Sequence, residues 1–149
     1  MTVLVKWFLI AMLSATAIFL AETQGALSLI LSNDKSYLGL SIMILYALTT
    51  VYLGTLAYNM DVAKRDEMVK LKKKQGIGWF IAEHFFSLGL LGTIIGLVLA
   101  TGGAMGENMP VSQIVTGLKE GLNTAFFTTI CGIVFSLLLQ LQLLVLKHK

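Results

Sequence analysis

Apolar residues in this chain gather in four long runs, at about residues 3–21, 37–58, 79–100 and 114–146. Each is close to, or exceeds, the roughly 20 residues that cross a hydrocarbon core as an α-helix. The fourth is long enough for its last turns to project beyond the bilayer. Polar segments separate the runs at 22–36, 59–78 and 101–113. The pattern predicts an all-α fold: a single-domain integral membrane bundle of four transmembrane helices, the last one long. Within 22–36 the apolar piece from Gly25 to Leu31 is too short to cross, and it reads as an interfacial or packed segment outside the membrane. Ala15-Thr16-Ala17 in the first run offers a small-residue cleavage pattern, but the length of the run favours a retained membrane helix. Its one charge, Lys6, lies near enough to the end to snorkel. Tyr37 and Tyr58 bound the second run as an interfacial aromatic belt would.

Composition supports the membrane reading. Hydrophobic residues are 56% of the chain and charged residues 13%, against about 25% charged in a soluble domain, so most of the surface must face something other than water. The formal net charge of +3 is gathered rather than spread. Lys64, Arg65, Lys70, Lys72, Lys73 and Lys74 stand against Asp61, Asp66 and Glu67 in the middle polar segment, and Lys147-His148-Lys149 ends the chain. Positive residues in short loops mark the cytoplasmic side. With four crossings, the N-terminus, the 59–78 loop and the C-terminus are therefore expected in the cytoplasm, and 22–36 and 101–113 outside. The Lys70–Lys74 cluster reads as this orientation signal and as a contact for anionic lipid headgroups; docking of a partner's cytoplasmic tail is the second reading. Basic residues do not alternate with aromatics, which argues against nucleic acid as a partner.

Little chemistry is available for an enzyme. Cys131 is the one cysteine and sits in an apolar run, as a small buried residue does. His84 and His148 fall in unrelated segments, which gives no metal-ligand cluster. There are no paired carboxylates and no Ser/His/Asp set, so neither a catalytic residue, a metal nor a resident cofactor is expected.

The last two runs differ in character from the first two. Gly89, Gly92, Thr93, Gly96 and Ala100 recur every three or four residues and share one helix face. Gly117, Gly121, Ala125, Thr128 or Thr129, Gly132 and Ser136 do the same in the fourth run. Small stripes let helix backbones approach closely in lipid, where there is no hydrophobic drive between helices, so packing alone accounts for the glycines. The hydroxyls add something further. Thr93 and the Thr128-Thr129 pair fall at similar depth on neighbouring helices, giving a narrow polar seam that suits an ion or a partner's carboxylate.

Leu88-Gly89-Leu90-Leu91-Gly92-Thr93-Ile94-Ile95-Gly96 resembles the pore helix of TolQ- and ExbB-type proteins. Gly121 to Gly132, GLNTAFFTTICG, resembles the last helix of the same group, whose Thr-Thr-x-x-Gly falls here on Thr128, Thr129 and Gly132. The two motifs stand in the family's order with a short loop between them, and they cover about residues 86–136. The chain thus resembles the MotA/TolQ/ExbB proton-channel family, with a four-helix plan nearer to MotA than to ExbB. The resemblance implies a homopentamer in the bacterial inner membrane, built around single-helix subunits of the MotB/TolR/ExbD kind. Those partners carry a membrane aspartate that is protonated and released as protons or sodium ions cross. It also implies an ion path past Thr93, Thr128, Thr129 and Thr124, with Gly89, Gly92, Gly96, Gly121, Ala125 and Gly132 as its packing positions. No carboxylate of this chain is expected at mid-membrane, so the titrating group would come from the partner.

Three places depart from the family's pattern. Where the last helix usually has a glutamate, this chain has Thr124; Glu120 one turn earlier is either a stand-in or a plain interfacial charge near Lys119. Glu83 and His84 are either a proton relay toward the cytoplasm or an interfacial acid and a hydrogen-bonded histidine. The large cytoplasmic domain by which MotA engages a rotor has no counterpart in the roughly twenty polar residues of the 59–78 loop. A structural or holin-like membrane assembly without coupled ion flow is the competing function class, since it too would use small-residue stripes.

Overall fold

The computed structural model describes residues 2–102 and 110–147, and of Arg65 and Asp66 the backbone alone. Among the described residues the chain is entirely helical, with α1 at Val3–Thr23, α2 at Ala26–Asn33, α3 at Leu38–Val62, α4 at Arg65–Gly102 and α5 at Val111–Lys147. Four of these, all but α2, are long and apolar enough to cross a membrane. A helix satisfies its own backbone N–H and C=O groups, which lipid cannot do. Buried side chains follow the same rule, for no buried side-chain nitrogen or oxygen among the described residues lacks a hydrogen-bond partner. Residues 103–109 of the glycine-rich loop and the tail residues His148 and Lys149 lie outside the described residues.

The short apolar segment after the first run folds as α2. Gly25 makes the corner. Its φ of 74° is open to glycine at little cost, and its N–H donates to Glu22 O at 2.7 Å, closing the end of α1. Tyr37 is the one described non-glycine residue with positive φ, at 57°. Beside it the buried carboxylate of Asp34 accepts from Ser36 N at 2.9 Å, Ser36 Oγ at 2.6 Å and Gly39 N at 2.7 Å. These bonds over-determine the corner that starts α3.

The largest departure from the expected layout is the 59–78 loop. Only Ala63 and Lys64 connect α3 to α4, and the lysine-rich stretch is the first part of a 38-residue helix. The reason is periodic. Met68, Leu71, Gln75 and Gly78 recur at helical spacing and turn toward the bundle, while Lys70, Lys72, Lys73 and Lys74 are exposed. Gln75 Nε2 donates to Leu143 O at 3.0 Å, fixing this part of α4 against α5. At about 1.5 Å per residue, α4 and α5 each measure roughly 55 Å, well beyond a hydrocarbon core of about 30 Å.

The directions of the helices alternate. Val3 N and Leu4 N donate to the two carboxylate oxygens of Asp61, at 3.1 and 2.8 Å, so the start of α1 and the end of α3 share one end of the bundle. At the opposite end, Thr124 Oγ1 donates to Asn33 O at 3.0 Å, joining α5 to the end of α2. Between the ends runs an apolar core built from Ile42, Leu53, Met60, Phe85, Leu139 and Leu143 among others.

Candidate functional site: the seam between α4 and α5

The α4–α5 contact owes its closeness to glycine. A methyl added at Gly96 would stand 2.5 Å from Ala125 N and 2.6 Å from Gly121 O; one added at Gly132 would stand 2.7 Å from Phe85 O and 2.8 Å from Gly89 Cα. Gly89 faces Gly132 Cα at 3.1 Å in the same way, and Gly92 leaves the space that the Thr128 side chain fills. These neighbours are mostly backbone, which cannot swing aside. The six expected packing positions, Gly89, Gly92, Gly96, Gly121, Ala125 and Gly132, are all buried in this one contact.

Along one edge of the seam the polar groups meet. Thr93 Oγ1 and Thr129 Oγ1 lie 2.5 Å apart, bridging the helices, and both residues are half-buried. Thr93 Oγ1 also reaches Gly89 O at 3.2 Å, and Thr129 Oγ1 reaches Ala125 O at 2.9 Å and Gly89 O at 3.4 Å. Two hydroxyls carry two protons and can be arranged as a chain in either direction. In one arrangement Thr129 donates to Thr93, which donates to Gly89 O; in the other, Thr93 donates to Thr129, which donates to Ala125 O. The hydroxyl that heads the chain accepts nothing from the protein, so its lone pairs are open to a cation or an acidic O–H. The pair is therefore a reversible acceptor at a helix–helix edge.

Thr128 and Thr124 have different surroundings. Both are fully buried. Thr128 Oγ1 donates within its own helix, to Thr124 O at 2.8 Å or Ala125 O at 3.2 Å, and the side chain packs against Gly92. Thr124 Oγ1 accepts from Lys35 N at 3.3 Å and donates to Asn33 O or Glu120 O. Both hydroxyls are thus engaged in holding helices, and the threonine pair that stands at the edge is Thr93 with Thr129. Lower on the same seam, Ser136 Oγ donates to Ala82 O at 2.7 Å.

A family profile for MotA/TolQ/ExbB proton channels matches residues 38–149, which takes in α3, α4 and α5. The chain belongs to this family. Neither a curated protein nor a solved structure matches it. Membership together with the four long apolar helices makes it a multi-pass membrane protein of a channel family. In this MotA/TolQ/ExbB chain the matched region includes the whole seam, and α1 and α2 lie outside the match.

The remaining candidates separate. Glu120 pairs with Lys35 at 2.6 Å, not with the neighbouring Lys119, and both side chains are about half exposed. Glu83 and His84 are adjacent in sequence and have different neighbours. His84 Nδ1 contacts Phe80 O at 2.7 Å and its ring lies 3.9 Å from the Phe80 ring, so it folds back along its own helix. Glu83 instead lines a cavity of about 450 Å³ with Phe86, Ile133, Ser136, Leu137 and Gln140.

The motif reading did not include a second polar set inside the bundle. Gln142, fully buried on α5, accepts from Trp7 Nε1 at 3.2 Å and donates through Nε2 to Tyr46 Oη at 3.0 Å or Thr50 Oγ1 at 3.4 Å. Tyr46 in turn donates to Ser14 Oγ at 3.1 Å. This set ties α1 and α3 to α5, and Ser14, Tyr46 and Thr50 also line a groove of about 590 Å³ between α1 and α3. Gln142 among the leucines that end the fourth run was the available signal, since a buried amide in a membrane helix needs partners on other helices.

Proposed function

We propose that this chain is the channel-forming subunit of a stator-type complex, in which proton or sodium flow across the bacterial inner membrane drives mechanical work. It assembles as a homopentamer around a single-helix partner of the MotB/TolR/ExbD kind, whose membrane aspartate loads and unloads at Thr93 and Thr129. The carrying observation is the Thr93–Thr129 pair, 2.5 Å apart at the edge of a seam closed elsewhere by glycine. A protonated aspartate can donate to the open hydroxyl, and an ionised one can accept from it once the chain of two hydroxyls has reversed. Thr128 and Gly132 hold α4 and α5 at the spacing this needs. Neither Thr93 nor Thr129 can release a proton at physiological pH, so the titrating carboxylate comes from the partner. The N-terminus, the α3–α4 connection and the C-terminus lie in the cytoplasm, as the lysines direct, and no resident cofactor takes part.

Ion flux into proteoliposomes holding the complex with its aspartate-bearing subunit tests the reading. Thr129→Val keeps the shape and removes the hydroxyl. Flux in this variant should fall by about tenfold or more, on the scale of losing one polar contact at a reacting group. Unchanged flux would leave the pair as packing and favour the competing structural, holin-like assembly, which the glycine-lined seam also supports.

A further inference from the structure

Glu83 is a carboxylate within the third apolar run, four positions past Trp79. It is exposed on α4, nine positions beyond Lys74, about 14 Å along the helix toward the α2 end. Lys74 itself is level with the middle of α3, where Tyr52 Oη donates to its carbonyl at 3.3 Å. Glu83 therefore lies on the stretch of α4 between the lysines and Thr93, inside the third apolar run. A carboxylate within an apolar run of a membrane helix commonly faces an assembly interior or a water-filled path rather than acyl chains.

Its neighbours point the same way. On α5, Thr129, Ser136 and Gln140 follow at i, i+7 and i+11, which places them on one line of the helix. On α4, Phe86 lies seven residues before Thr93, again on one line. Ser136 and Gln140 line the cavity with Glu83, and Gln140 Nε2 donates to Ser136 Oγ at 3.1 Å. Gln140 Oε1 takes no part in that bond, and Gln140 and Glu83 line the same cavity. The cavity sits on the same edge of the seam as the threonine pair, about 10 Å further toward the lysine-bearing end by the seven-residue rise from Thr129 to Ser136.

We propose that Glu83, with Gln140 and Ser136, forms a second stop for the transported monovalent cation, a proton or sodium ion passing between the threonine pair and the lysine-bearing end. This rests on the channel reading above. The carboxylate supplies the negative charge, and the amide and hydroxyl oxygens supply neutral acceptors. Phe86 and Ile133 line the same cavity. His84, folded onto Phe80, takes no part.

The test is flux through the complex in proteoliposomes, with proton and sodium gradients applied separately. Glu83→Gln keeps size and hydrogen bonding and removes the charge; Glu83→Asp keeps the charge. The expected result is a loss of about a hundredfold in Glu83→Gln, the lower range for removing a positioned proton-transfer group, with most of the flux retained in Glu83→Asp. Both variants should elute as the intact complex. Equal flux from wild type and Glu83→Gln would overturn the second stop and leave the channel reading standing. Equal losses in Glu83→Gln and Glu83→Asp would assign Glu83 to packing and overturn it as well. Absence of flux from wild type under either gradient would overturn the channel reading and this stop together.

Discussion

Adding a single methyl group at Gly96 tests the packing argument most sharply. In Gly96→Ala the new carbon would stand 2.5 Å from Ala125 N, about 0.9 Å short of ordinary contact, which begins at 3.4 Å. The obstacle is backbone, so relief comes only from parting α4 and α5. A gap of 0.5–1 Å forfeits about a quarter to a half of each dispersion contact across the opened stretch, and overpacking of this kind costs roughly 1–3 kcal/mol. Three residues away, the Thr93–Thr129 bond would stretch as well, a loss of about 0.6 kcal/mol for an average bond between membrane helices. Against this stands the gain of up to about 1 kcal/mol from replacing glycine by alanine in a helix. Gly76 supplies the control, because it lies on the same helix with nothing within 4 Å of an added methyl. The propensity gain is common to both substitutions and cancels in the comparison. Unfolding free energies measured in mixed micelles should therefore place Gly96→Ala about 2–3 kcal/mol below Gly76→Ala, and the Gly76 variant at or slightly above wild type. If the two variants agree within about 0.5 kcal/mol, the seam is not closed in the way described.

Three further outcomes follow from the contacts that hold the bundle together. Asp61→Ala removes both acceptors at the start of α1 and should cost about 1–2 kcal/mol, as lost helix caps do; faster proteolysis near residues 3–7 would report it, with Asp61→Asn intermediate. Gln142→Leu unties Trp7 and Tyr46 and should cost about 0.6–1.7 kcal/mol, visible as a change in the Trp7 emission when Trp79 is replaced by phenylalanine. Glu120→Gln should shift unfolding by less than about 1 kcal/mol, since its pair with Lys35 is half exposed; a larger loss would show that this pair is shielded in the assembly.

What the sequence made legible, and what it hid, divides along physical lines. The four crossings were readable because lipid imposes length and apolarity on each helix independently of its neighbours. The glycine seam was readable because small residues at every third or fourth position have one structural use in a bundle, and the structure brings those positions together. The start of α4 was hidden because charge density outweighed periodicity: Met68, Leu71 and Gln75 keep helical spacing through the lysines. The partners of Asp61, Thr124, Glu120 and Gln142 were also out of reach. Each is a contact across 57 or more positions of chain, and no local pattern specifies such pairs. The cavity that Glu83 shares with Ser136 and Gln140 belongs with these, because it depends on how α4 is set against α5.

The measurement closest to the centre of the account is ion flux into proteoliposomes containing the chain with and without its single-helix, aspartate-bearing partner. Flux is expected only when both are present, because the seam offers hydroxyls and the partner the titrating carboxylate. Equal flux from this chain alone would contradict it.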